Sequence, residues 1–217
     1  MSKYILKFHK GEGVKYVSHL DIIRVFDRAV RRANLPMEYS GGFNPHPMMT
    51  FANSLGVGVA SIGELVEITM QSHITEEEFK TRLNEKLPEG FEIEAVKELE
   101  GKNNFARLAL ADYIIRIEGE FPEKSLEEIF NGLPHIIVEK KTKSGVRETD
   151  IKPLVADFKE TEKGVLGVCI KTGAENLKPE LLVRGLEKYE EGFKTDKVVI
   201  MRTALLDEQG EPLFENL

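Results

Sequence analysis

Between residues 14 and 52 the chain gathers most of its reactive side-chain types. Ser18-His19-Leu20-Asp21 is followed by Arg24, Arg28, Arg31 and Arg32, and then by Gly41-Gly42-Phe43-Asn44-Pro45-His46-Pro47. Imidazole titrates near neutrality, so His19 and His46 are the candidates for general acid–base work. Metal-free cleavage of RNA needs a base for the 2′-hydroxyl, an acid for the leaving oxygen and a cation on the phosphate. His19, His46 and the Arg24/Arg28 stripe supply those types. Tyr16, Tyr39, Phe43 and Phe51 are rings that could stack on bases, and several of them must instead be core. Each group also has a plainer role. The arginines could form a solvated helix face, His19 could support a helix cap, and His46 could satisfy a backbone carbonyl. His19, Asp21 and His46 are of metal-ligand type, but they come from two segments without tight spacing, so no metal centre is expected.

These groups must be positioned by a helix and a loop. Ser18 is a good N-cap with Asp21 three places on, close to a capping box with Asp in place of Glu. The helix runs to about residue 33. Its period places Ile22, Ile23, Val25, Phe26, Ala29 and Val30 on one face. Arg24, Arg28, Arg31 and Arg32 share the opposite face, with Asp21. In the loop, two glycines and two prolines punctuate seven residues and rule out regular structure. Polar loops of this kind are where binding groups concentrate.

The chain has 217 residues, 41% hydrophobic and 31% charged, which suits one large or two small globular domains. No apolar run approaches the ~18 residues of a membrane span, and the N-terminus lacks a signal-peptide core. Cys169 is the sole cysteine, so no intrachain disulfide forms and a cytoplasmic protein is expected. Its place in Val-Leu-Gly-Val-Cys-Ile suits a small core residue. Net charge is −7, yet residues 1–50 carry eight Lys or Arg against four Asp or Glu. A basic patch on an acidic body fits a specific anionic ligand or RNA segment better than a sliding DNA binder. The chain lacks a phosphate-binding P-loop, a dinucleotide fingerprint and a cysteine cluster, and no cofactor is expected.

Read in order, strand 3–9, helix 19–33, extended segments 37–40 and 49–55, strand 64–70, helix 76–87 capped by Thr75 with Glu78 three on as a capping box, and strand 91–99 give β-α-β-β-α-β. Gly63 reads as a turn, and residues 100–109 as a linker. The second half repeats the order: strand 111–118, a short helix capped by Ser125 with Glu128, extended stretches 136–143 and 148–155, strand 165–171, a helix opened by Pro179 through 189, and strand 197–205. The expected fold is α+β, a tandem of two ferredoxin-like domains at 1–100 and 110–217, with antiparallel sheets and helices on one face. In the second domain, residues 140–147 form a basic hairpin tip. Arg147 there, and Lys152 alongside, could meet a phosphate backbone.

Tyr16-Val17-Ser18-His19-Leu20-Asp21, then Arg24, Arg28, Arg31-Arg32-Ala33, then Gly42-Phe43-Asn44-Pro45-His46-Pro47, closely resemble the radical-SAM-linked protein family, a bacterial domain of unknown function. Asp150-Ile151-Lys152-Pro153 and Arg202-Thr203 also look like its later motifs, so the resemblance covers nearly the whole chain. It implies association with a radical-SAM protein, since members are fused to or encoded beside one, often near genes for ribonuclease and ribosomal proteins. It transfers no catalytic residue. Many members carry a basic residue where this chain has Met48. With one cysteine the chain cannot hold the radical-SAM cluster, so it is expected to be the stand-alone form. At the level of fold, the first half is also similar to the tandem ferredoxin-like endonucleases that process CRISPR RNA.

The leading expectation is a non-catalytic accessory protein that binds tRNA or ribosomal RNA and presents it to a radical-SAM partner. Arg24, Arg28 and Arg32 would hold phosphates. Phe43 would stack, and Asn44 and His46 would read a base or ribose, with Ser18, His19, Asp21, Tyr39, Arg147 and Lys152 completing the surface. Two alternatives stay open: a metal-free ribonuclease using His19 and His46, and a module that docks the radical-SAM partner without RNA.

Overall fold

In the computed structural model the chain divides into two compact units, Met1–Leu108 with Gln209–Leu217, and Ala109–Glu208. The structure describes residues 1–142, 145–173 and 175–217, and only the backbone of residues 141 and 142. The architecture is mixed α+β, with mostly antiparallel sheet and, among the described residues, four α-helices. Among these residues no helix is long and apolar enough to cross a membrane.

The first unit runs β1 (Ser2–Lys10), α1 (His19–Arg32), β2 (Met49–Phe51), β3 (Val59–Met70), α2 (Glu76–Asn84) and β4 (Phe91–Leu99). Its strands lie side by side in the order β4-β1-β3-β2, every neighbour antiparallel. The two-residue period of β1 sends Tyr4, Leu6 and Phe8 to one face. There they form one buried cluster with Ile22, Phe26, Ala29 and Val30 of α1 and with Phe79 and Leu83 of α2, so both helices cover the same face. Phe8 and Phe26 meet edge to face at 4.8 Å. The Tyr4 hydroxyl donates to the Ile74 carbonyl at 2.7 Å and accepts from its amide at 3.0 Å, which fixes the entry to α2. On the alternate positions of β1, Lys3 pairs with Glu67 at 3.0 Å and Lys7 with Glu94 at 2.9 Å, and Ile5 between them is buried. The C-terminal tail returns to this unit, where Lys97 donates to the Phe214 carbonyl at 2.8 Å and Asn104 to the Leu213 carbonyl at 2.9 Å.

The second unit runs β5 (Leu110–Glu120), α3 (Leu126–Gly132), β6 (Ile137–Thr142), β7 (Gly145–Asp150), β8 (Val155–Glu162), β9 (Val165–Lys171), α4 (Pro179–Tyr189) and β10 (Lys194–Leu206). Its sheet order is β10-β5-β9-β8, again antiparallel, while β6 and β7 pair only with each other. The β-α-β-β-α-β order therefore recurs with a two-stranded ribbon inserted between α3 and β8. This corrects the expected path in part: stretch 136–143 is extended as β6 and stretch 148–155 begins in β7, but the two form a separate two-stranded ribbon, and the middle strands of the unit's larger sheet are β8 and β9. The tip residues Lys143 and Ser144 lie outside the described residues.

Three further differences concern the first unit. Residues 37–40 make isolated bridges, Met37 to Met70 and Tyr39 to Pro47, instead of a strand. Gly63 lies inside β3 and makes no turn. Thr75 caps α2 by accepting from the Glu78 amide, but Glu78 sends its carboxylate to Arg82 at 2.7 Å, leaving the capping box half made. Ser125 and Glu128 do make a reciprocal box at α3.

Candidate functional site

The helix start is built from side chains three residues apart. Ser18 has extended backbone angles, and its Oγ accepts from the Asp21 amide at 3.2 Å while its hydroxyl donates to Asp21 Oδ2 at 2.7 Å. Arg24 Nη1 donates to Asp21 Oδ1 at 2.8 Å. The Ser18 hydroxyl first, and Arg24 second, hold the Asp21 carboxyl below its ordinary range. His19 is half-buried, and its ring meets Phe51 edge to face at 5.2 Å. Phe51 in turn packs on Phe8 and Phe26, so His19 caps an aromatic stack that belongs to the core.

The arginines of α1 are all exposed but differ in what they do. Arg31 Nε donates to Asp27 at 3.1 Å and to the Tyr39 hydroxyl at 2.9 Å, and its guanidinium lies over the Tyr39 ring at 5.0 Å. Tyr39 donates to the same Asp27 oxygen at 2.7 Å. Burial first, and the hydrogen bond to Asp27 second, push the Tyr39 hydroxyl above its ordinary pKa. Tyr39 is thereby clamped to α1 and ties the loop stem to the basic face. Arg32 donates to the Lys86 carbonyl at 2.5 Å, just beyond α2, and holds the two helices together. Arg28 carries its charge without a partner among the described residues.

The loop is closed at its base and open at its tip. The Ser40 amide donates to the His46 carbonyl at 2.9 Å, and the His46 amide donates to Ser40 Oγ at 3.1 Å. His46 Nδ1 also lies 2.9 Å from Ser40 Oγ, so in either tautomer Nε2 is the nitrogen left for a ligand. Further down the stem, Met48 donates to Glu38, Glu38 to Thr69, and Thr69 back to Met48. Gly42 takes φ +105°, a left-handed conformation that costs glycine little. Phe43 follows it and is fully exposed, at 111% of its reference area. Asn44 is exposed beside it.

The structure thus joins Asp21 to Arg24 at the start of α1 and Tyr39 to Arg31 and Asp27 further along it, while Arg28 stays exposed on the helix and Phe43, Asn44 and His46 lie on the loop whose stem Tyr39 anchors. Arg147 is exposed on the ribbon of the other unit. Lys152 is half-buried and turned inward: its Nζ donates to the Phe130 carbonyl near the C-terminal end of α3 and lies over the Phe130 ring at 3.7 Å. Burial lowers its pKa. Among the described residues no three His, Cys, Asp or Glu side chains cluster as a metal site would require. Sequence reasoning missed Ser40 and Asp27, while Phe51, one of the rings considered for stacking, packs instead against the core. Only Asp27 had a local signal, its i,i+4 spacing to Arg31.

No curated protein matches the chain. Among solved structures it resembles part of a Cbf5-Nop10-Gar1 complex, with 12% identity and a TM-score of 0.48 over 93% of this chain and 48% of that one. An archaeal box H/ACA sRNP Nop10-Cbf5 complex gives 10% identity and a TM-score of 0.43, over 92% of this chain and 46% of that one. An unknown protein from Galdieria sulphuraria gives 12% identity and a TM-score of 0.29, covering 93% and 98%. The chain spans about half the length of the first two. Residues 3–179 match the model of a family described as an uncharacterized protein conserved in bacteria (DUF2344), and the chain belongs to that family.

Proposed function

We propose that the face made by α1 and the 40–47 loop binds RNA, of the tRNA or ribosomal class, and presents it to a partner radical-SAM enzyme in the cytoplasm. In this reading both units are ferredoxin-like domains, since each has the β-α-β-β-α-β order with its first strand central in the sheet.

The observation that carries the proposal is Phe43. Fully burying a Phe side chain is worth roughly 1.5–3 kcal/mol, so a ring held in water on a closed loop forgoes that energy until a partner covers it. Nearby chemistry favours a nucleic acid as the partner. A ring stacks on any base, Arg28 has a free guanidinium for a phosphate, and the Asn44 amide and His46 Nε2 can pair with a base edge or ribose. The Arg24–Asp21 pair is exposed on both sides, 67% and 52%, and such pairs are loosely held, so Arg24 can turn to a phosphate. The partner enzyme rests on the resemblance to the radical-SAM-linked family.

Titrating a labelled RNA pool with the protein tests the reading. Phe43→Ala and Arg28→Ala are each expected to weaken binding without lowering the melting temperature, because Phe43 is fully exposed and Arg28, also exposed, has no hydrogen-bond or ion-pair partner among the described residues. Unchanged affinity in both overturns it. Chelator-resistant cleavage lost in His19→Ala would identify a ribonuclease instead. A radical-SAM partner bound without RNA would identify a docking module.

A further inference from the structure

The second unit holds a groove of about 790 Å³ lined by Val138, Glu139, Lys140 and Val146 of the ribbon and by Lys178, Glu180, Leu181, Arg184 and Lys188 of α4 or its N-cap. We propose that this groove is a second binding site, for the backbone of a single-stranded RNA segment, distinct from the α1–loop face. The proposal rests on the RNA-binding reading above for the kind of ligand, and on the groove's own chemistry for the site.

The cations are arranged along one line. Lys178, Leu181, Arg184 and Lys188 recur at three- to four-residue spacing, which puts them on one stripe of α4. From Lys178 to Lys188 the helix rises ~15 Å, long enough to face successive charges of a polymer and longer than a single phosphate needs. The groove holds four cations against two carboxylates, in a unit whose residues 109–208 carry 16 Lys or Arg against 20 Asp or Glu. That local excess runs against the charge of its surroundings, as a directed anion site does.

The walls are fixed. Lys140 Nζ donates to the Asn176 carbonyl at 2.6 Å and Lys188 Nζ to the Ile137 carbonyl at 3.0 Å, so these two lysines brace the ribbon. The Ile137 amide donates to the Tyr189 hydroxyl at 3.0 Å. Gly185 lets the ribbon base approach α4 closely: a β-carbon there would stand 2.7 Å from Ile136 Cγ2 and 3.3 Å from Val138 Cγ1. Lys178 and Arg184, by contrast, have no partner among the described residues, and their heads are free for a ligand.

The ribbon adds an independent observation. Lys140 of the lining and Arg147 just outside it stand directly opposite one another across β6 and β7, and among the described residues Arg147 has no carboxylate partner. Like charges in that position destabilise a strand pair, and an anion between them removes the repulsion. Val138, Val146 and Leu181 supply an apolar lining beside the cations. Phosphates on the cations, with base faces lying against these aliphatic side chains, match that combination, and with no aromatic ring in the lining the contact is carried by the backbone charges.

The test uses the full chain and a fluorescently labelled 20-nucleotide single-stranded RNA of mixed sequence, titrated at several salt concentrations. Lys178→Ala with Arg184→Ala is expected to weaken binding and to flatten the salt dependence by about 1.4 in the slope of log K against log salt, two contacts at ~0.7 each. Arg147→Ala alone should flatten it by about 0.7. Hydrogen exchange with and without this RNA then locates the contact. Protection at 138–147 and 178–188 supports the groove. Protection confined to 18–47, with the slope unchanged in the double variant, overturns the groove and leaves the α1–loop reading standing. Protection confined to the groove supports it and overturns the α1–loop reading. Binding of an acidic peptide in the groove, with no binding of this RNA, overturns the groove as an RNA site.

Discussion

A single hydroxyl organises the beginning of α1. Ser18 accepts from the Asp21 amide and donates to the Asp21 carboxylate, which also holds Arg24. Ser18→Ala is expected to lower stability by about 0.5–2 kcal/mol, read by denaturant unfolding. The Asp21 carboxyl is held below its ordinary 3.8, so its contribution is fully present above that value and is lost as pH falls through the lower folded value. The melting-temperature gap between the wild type and Asp21→Asn should therefore be constant at neutral pH and close only below about pH 3.8. Cys169 gives a contrasting case. Burial first, and the neighbouring Asp112 second, push its thiol up to about 12. Native protein should resist alkylation at pH 8 and react after unfolding; equal rates would contradict the burial of this thiol.

At the scale of elements, local chemistry was legible wherever it was self-contained. The Ser18 and Ser125 caps and the Pro179 start depend on residues within one turn, and each begins its helix where the sequence put it. The hairpin β8–β9 was only half legible, because Phe158 is the one buried residue of β8 and an edge strand with one buried position shows almost no alternation. The bridges at Met37 and Tyr39 depend on Met70 and Pro47, partners whose register no local pattern announces. In the candidate site, the exposed arginines and the irregular loop were readable. The division of labour among the arginines was not, because Arg31 and Arg32 are consumed by Tyr39 and Lys86, which are distant in sequence or lie on another element. Gly185 carries the element-scale prediction. Gly185→Ala gains about 1 kcal/mol of helix propensity but overpacks against Ile136, at roughly 1–3 kcal/mol, so a net loss of stability is expected by denaturant unfolding. A gain would mean that the ribbon does not sit tightly on α4.

For the whole molecule, the proposed function rests on an arrangement of surfaces on an acidic protein of net charge −7. Such a body repels polyanions except where cations are left unpaired, and Arg28, Lys178 and Arg184 are among those. Raising salt should weaken RNA binding steeply, while a protein partner held by apolar contacts would be much less affected. The central claim is that Phe43 touches RNA. Ultraviolet crosslinking of the tagged protein in its native cell, with sequencing of the RNA and mapping of the crosslinked peptide, tests it most directly. The expected result is one enriched RNA class attached to the peptide spanning residues 37–51, lost in Phe43→Ala. A radical-SAM protein recovered with no RNA above the untagged control would contradict it and would make the basic face a protein interface.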